Sequence, residues 1–214
     1  MKPFKNTNIS YEPIAATNLN NPREIRLNIE TQDLFTHPAE SYLVSDGKLV
    51  KAADDAEYDN ADVITLTNNM MHLFSNIKYQ LSGQEIESAF HPGKATTMLG
   101  PLKHPDDFQK PKGLNELWMK DSHTTAHRQN NIGFAARQGY VIQKPDPKGT
   151  FSFRVPLKHM FGFCDGYEKV VYCFKHQLTL VRKGDNDAIC RAAAADAGKV
   201  VLTKLSWYVL TKTI

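Results

Sequence analysis

Phe151 to Arg182, FSFRVPLKHMFGFCDGYEKVVYCFKHQLTLVR, carries the pattern on which the fold reading turns. Phe151, Phe153, Val155 and Leu157 alternate with Ser152, Arg154 and Pro156. Successive side chains of a strand point to opposite faces, so this period of two predicts a half-buried strand. Further on, Tyr172, Phe174, Leu178 and Leu180 occupy one phase, and Lys175, Gln177 and Thr179 the other. Read as one strand of about a dozen residues at about 3.3 Å each, the run is roughly 40 Å long and needs a large sheet. His176 falls on the apolar phase and reads as a core histidine with a hydrogen-bond partner rather than as a ligand.

The same periodicity extends outward. Ile25, Leu27 and Ile29 alternate with Glu24, Arg26, Asn28 and Glu30, as in an antiparallel strand with one wet face. Tyr42 to Val44 and Leu49 to Val50 flank Asp46-Gly47, a dipeptide that favours positive φ and predicts a hairpin. A short strand is expected at Val63 to Thr67, and a second hairpin joins Ile77 to Leu81 with Gln84 to Phe90 through Ser82-Gly83. From His91 to Tyr140 the β pattern lapses, with short helices expected at Lys94 to Leu99 and Asp106 to Gln109. A connection of that length inside one domain usually has a job, so this is the expected contact-making insertion. The alanines of Ala188 to Ala197, before Gly198, predict a helix, and Val201, Thr203, Leu205, Trp207 and Val209 a last strand.

Residues 1–22, rich in Asn, Thr and Pro, predict an extended or disordered N-terminal arm, and residues 23–214 a single domain with the insertion at about 91–140. The fold class is all-β, an eight-stranded antiparallel jelly-roll sandwich with one or two short helices in its connections; lipocalin-like barrels and other sandwiches are the rivals.

Hydrophobic residues make up 41% and charged residues 23% of the 214, near globular averages. No apolar run is long enough for a transmembrane helix, and the polar MKPFKNTNISYEP does not read as a secretory signal. No membrane partner is therefore expected, and the three cysteines, Cys164, Cys173 and Cys190, read as free, mostly buried thiols of a reducing compartment. The net charge of +3 is uneven: residues 1–100 hold 8 Lys and Arg against 13 Asp and Glu, and residues 101–214 hold 18 against 10. The basic second half is compatible with weak nucleic-acid contact.

Catalytic chemistry finds no support. GxSxG, P-loop and GxGxxG motifs are absent. His123 and His127 have the i, i+4 spacing of a metal helix, but HTTAH lacks the glutamate of HExxH, and no His-x-His of a cupin occurs. DDAEYDNAD lacks the glycine of a calcium loop and reads as a solvated acidic loop. Asp106-Asp107 fits a helix start better than an acid–base pair. No catalytic, cofactor-binding or metal residues are expected, and no enzyme.

TNNMMHLFSNIKYQLSGQEIES at Thr67 to Ser88, GKATTMLGPL at Gly93 to Leu102, the stretch Phe151 to Arg182, and the final KLSWYV resemble the first half of double-jelly-roll major capsid proteins of the Maverick/Polinton and adintovirus type. Endogenous copies of such genes sit in many animal genomes. The resemblance implies a viral structural protein, in the virion or, if host-expressed, in the cytoplasm or nucleus. Its partners would be copies of itself, as a trimer or other closed oligomer, and other capsid subunits. The departure is length, since family members continue into a second jelly roll where this sequence stops at Ile214. The alternative function is a β-sandwich binding module for glycan or protein ligands, with Trp118 in the insertion at its contact surface.

Overall fold

The computed structural model describes residues 5–14, 18–21, 24–30, 34–105, 107–108, 112–123 and 130–213. Its strands are β1 (Lys5–Tyr11), β2 (Glu24–Ile29), β3 (Phe35–Lys51), β4 (Ile64–Leu66), β5 (Phe74–Leu81) and β6 (Gln84–Phe90). After helices α1 (Pro92–Lys103), α2 (Lys112–Glu116) and α3 (Ile132–Val141) come β7 (Thr150–Pro156), helix α4 (Gly162–Gly166), β8 (Val171–Tyr172), β9 (His176–Arg182), β10 (Ile189–Arg191) and β11 (Gly198–Thr213). One sheet runs β1-β11-β3-β7 with β8 also on β3, and the other runs β2-β9-β5-β6. Setting aside the short β4, β8 and β10, the remaining eight strands give the orders 1-8-3-6 and 2-7-4-5, the two interleaved Greek keys of a jelly roll.

Inward residues of both sheets form one core: Leu43, Val155, Leu205 and Trp207 from the first, Ile25, Leu27, Ile77, Tyr79, Leu178 and Leu180 from the second. Tyr79 meets Trp207 edge-on across the sandwich at 6.2 Å. Alternation in β2 and β7 is as the sequence predicts, with Ile25, Leu27, Ile29, Phe151, Phe153 and Val155 all buried. The β5–β6 hairpin turns at Ser82 and Gly83, both at positive φ.

Four sequence expectations are corrected. Asp46-Gly47 makes no hairpin: β3 runs straight through it, pairing with β7 on one side and β11 on the other. Gly47 instead permits close approach, because a Cβ there would lie 2.7 Å from the Val201 carbonyl oxygen and against the Phe151 ring. Gly47→Ala is expected to cost about 1–3 kcal/mol in urea unfolding, as overpacking does; a loss below roughly 0.5 kcal/mol, the size of an inert surface change, would show that the approach is easily relieved.

The long strand after Val171 is two strands in two sheets. β8 pairs with β3 at Phe35 and Thr36, Cys173 takes φ 65°, and β9 then lies between β2 and β5. Tyr172 and Phe174, on the predicted inward phase, are therefore exposed. Ala188 to Ala197 is not a helix, because Ile189–Arg191 pairs with Ile64–Leu66 and the Thr67 amide donates to the Ala188 carbonyl. In β11 a register shift between Leu202 and Lys204 changes the inward phase, so that Val200 and Leu202 are buried ahead of it, and Leu205, Trp207 and Val209 after it.

The expected N-terminal arm is extended over Lys5–Tyr11 and built into the sheet, paired with β11 from Thr213 to Trp207. Asn20 continues the attachment by exchanging hydrogen bonds with the Leu202 backbone at 2.7 and 3.1 Å. As an edge strand with only Ile9 and Tyr11 partly buried among its described side chains, β1 shows no apolar alternation.

Candidate functional site

The insertion between β6 and β7 is helical and fastened to the roll by buried polar groups. Asn68 Oδ1 accepts the Met119 amide at 2.7 Å. The buried Arg137 of α3 donates to the Leu66 and Met119 carbonyls and pairs with Asp121 at 3.0 Å. Helix α3, unforeseen in the sequence, is capped by Asn131, whose side chain accepts from the Gly133 amide, and buries Phe134 and Val141. Of the predicted short helices, the first lies within the longer α1, while Asp106 and Gln109 fall outside the described residues.

Helix α1 turns its small residues to the core and its large apolar residues outward. A surface helix normally turns its large apolar residues to the core. Here the buried face is made of Pro92, Gly93, Thr96 and Gly100. A Cβ on Gly93 would lie 2.6 Å from His72 Cα, and one on Gly100 would run into the Trp118 indole, so the helix sits closer than any larger residue allows. Met98 and Leu102, one turn apart on the outer side, are 74% and 83% exposed, and Leu99 beside them is also exposed.

At the C-terminal end of α1, His104, Glu116 and His159 converge, each offering one donor atom within 4.8 Å of the others. They come from three segments: the residue after α1, the last residue of α2, and the 3-10 turn Leu157–His159 that follows β7. Glu116 is only 3% exposed, and both its carboxylate oxygens lie at 2.9 and 3.0 Å from His159 Nδ1. The His104 ring stacks on Phe108 at 3.7 Å and meets Trp118 and His159 edge-on at 5.0 Å. Burial, then the neighbouring His159 and Lys103, push the His104 pKa down to about 4. Both histidines line an open cleft of about 500 Å³ with His37, Glu40, Lys103 and Asp165.

The other candidate residues are ordinary structure. His176 is buried, with Tyr79 Oη 2.7 Å from its Nδ1 and Thr36 Oγ1 2.9 Å from its Nε2, the satisfied core histidine that the sequence predicts. Burial holds its pKa at about 4. His123 is exposed and His127 lies outside the described residues. In the acidic loop, Asp55 pairs with Lys199 at 2.6 Å and Glu57 with Lys48 at 2.6 Å. Cys164 is buried and its thiol pushed up to about 12 by burial, whereas Cys173 is exposed and Cys190 half-buried, against the expectation of mostly buried thiols. Trp118, 4% exposed beneath Gly100, offers no ligand platform. Among the described residues no helix is long and apolar enough to cross a membrane.

The sequence of residues 120–213, from the insertion to the end of β11, matches the family model of the double jelly roll-like domain. That match spans 94 of the 214 residues. Solved structures share the fold over nearly all of the chain. A chain of the Sputnik virophage matches with a TM-score of 0.62 at 8% identity, covering 98% of this chain and 48% of that one. PBCV-1 VP54, fitted into a reconstruction of the same virophage, gives 0.56 at 13% identity, covering 100% and 43%. The Faustovirus major capsid protein gives 0.52 at 9%, covering 100% and 56%. The jelly roll thus spans about half the length of each of these relatives. None of the curated proteins matches the sequence.

Proposed function

We propose that this jelly roll is a structural subunit of viral capsid type, related to the first roll of Maverick/Polinton-like capsid proteins, that works by associating with copies of itself and carries out no catalysis. The observation that supports this reading most is the reversed face of α1. Burying Gly93 and Gly100 while leaving Met98 and Leu102 outside makes sense when another subunit covers them, since large apolar side chains grouped on one exposed face mark an interaction surface. Fold similarity to a major capsid protein supports another jelly roll as the partner.

The charge asymmetry favours nucleic acid less than the sequence suggests. Strands of the two halves interleave in both sheets, and Lys175–Glu30, Lys199–Asp55 and Lys51–Asp196 pair across the halves at 2.6 to 3.0 Å.

Met98→Lys with Leu102→Lys tests the reading, because both positions are exposed and the fold should survive. Association is expected to weaken at least about tenfold, the effect of losing ~1.4 kcal/mol at an interface. Unchanged association in a folded double variant would move the contact surface elsewhere.

A further inference from the structure

We propose that His104, Glu116 and His159 form a binding site for a divalent transition-metal ion, zinc being the best fit, which clasps the helical insertion to the jelly roll. This stands apart from self-association, since the cluster lies within one chain and joins three segments of it.

Donor chemistry is the first ground. Two imidazoles and one carboxylate suit a borderline ion such as Zn²⁺, whereas calcium and magnesium call for oxygen donors throughout. His104 and His159 also line the cleft of His37, Glu40 and Asp165, whose volume of about 500 Å³ leaves room for a water as a fourth ligand.

Burial is the second ground. A carboxylate almost removed from water needs compensation by charge or by several hydrogen bonds. Among the described residues, Glu116 has one side-chain partner, His159. The His104 ring nitrogens make no hydrogen bond among the described residues, although Phe108, Trp118 and His159 hold the ring by stacked and edge contacts. An oriented imidazole with idle nitrogens facing a buried carboxylate is the arrangement a cation completes. The nearby Lys103 is already paired with Asp165 at 2.7 Å, which limits its repulsion of an incoming ion.

Geometry is the third. Bonds of about 2.0–2.2 Å around a tetrahedral ion place donors roughly 3.4 Å apart. The donors here lie within 4.8 Å of one another, so closure requires shifts that side-chain torsions of His104 and His159 supply. No sequence signal announces the site, because its members stand 12 and 43 residues apart with no motif spacing.

The test uses the full chain, free of any histidine tag, stripped with EDTA and dialysed against zinc. One zinc per chain is expected by elemental analysis, with a melting temperature raised by at least about 5 °C at zinc 100 times its Kd and restored by chelator. His104→Gln, at a half-buried position where folding should survive, is expected to abolish both effects, and His104→Cys to retain them. Cobalt substitution should give the intense visible bands of a tetrahedral ion in the parent and none in His104→Gln. Zinc bound equally by the parent and a folded His104→Gln, or no stoichiometric zinc in the parent, overturns the proposal.

Discussion

Truncating Trp207 to alanine is expected to lower the unfolding free energy by about 3–5 kcal/mol, the range for deleting a fully buried aromatic. Trp207 lies in β11 between Leu43 of β3 and Tyr11 of β1, and its indole fills the space between the sheets against Tyr79 and His176. Among the described residues its Nε1 has no hydrogen-bond partner, so the side chain is held by packing. Trp207→Phe, which keeps most of the volume, should cost much less than the alanine change. Urea unfolding of both variants measures this, and an alanine loss under about 1 kcal/mol would mean that the two sheets do not close on Trp207.

Acidification is expected to destabilise the fold between pH 6.5 and about 4, with His176 among the contributors. Burial holds this imidazole neutral, with a pKa of about 4 in place of the usual 6.5. The unfolded chain therefore binds the proton first, so the contribution is complete above pH 6.5 and falls away as pH drops toward 4. For a fully desolvated imidazole that difference is worth ~3 kcal/mol. His72, also buried and held at about 4, first by burial and then by Lys183, acts in the same direction. Urea midpoints taken from pH 7.5 down to 4 give the slope. A flat profile contradicts the assignment, as does a His176→Gln variant whose acid sensitivity equals the parent's.

Where a strand keeps one partner set and one phase from end to end, its residues announce it, as in Ile25, Leu27 and Ile29 or Phe151, Phe153 and Val155. Reading fails where long-range packing overrides local preference. Asp46-Gly47 has turn chemistry, but Gly47 is there because Phe151 and the Val201 carbonyl press against it. The run from Val171 to Arg182 looks continuous because alternation cannot reveal a change of sheet, which happens at Cys173. The alanines after Ala188 favour a helix by only a few tenths of a kcal/mol each, and the chain instead pairs Ile189–Arg191 with β4.

The jelly-roll fold was legible through family resemblance, whereas neither the α1 face nor the histidine cluster was. The α1 face is hidden in sequence because helical periodicity does not tell which side is in, and TMLGPL reads as well with Met98 and Leu102 buried. Only the contacts of Gly93 and Gly100 with His72 and Trp118 reverse it. The His104, Glu116 and His159 cluster depends on three chain segments meeting, which no spacing rule encodes.

Sedimentation velocity of the tag-free chain, from low micromolar to near-millimolar concentration, tests the central claim of self-association most directly. A reversible rise from monomer to a closed oligomer is expected, lost in Met98→Lys with Leu102→Lys. A monomer at every concentration would contradict the reading of this jelly roll as a self-assembling subunit.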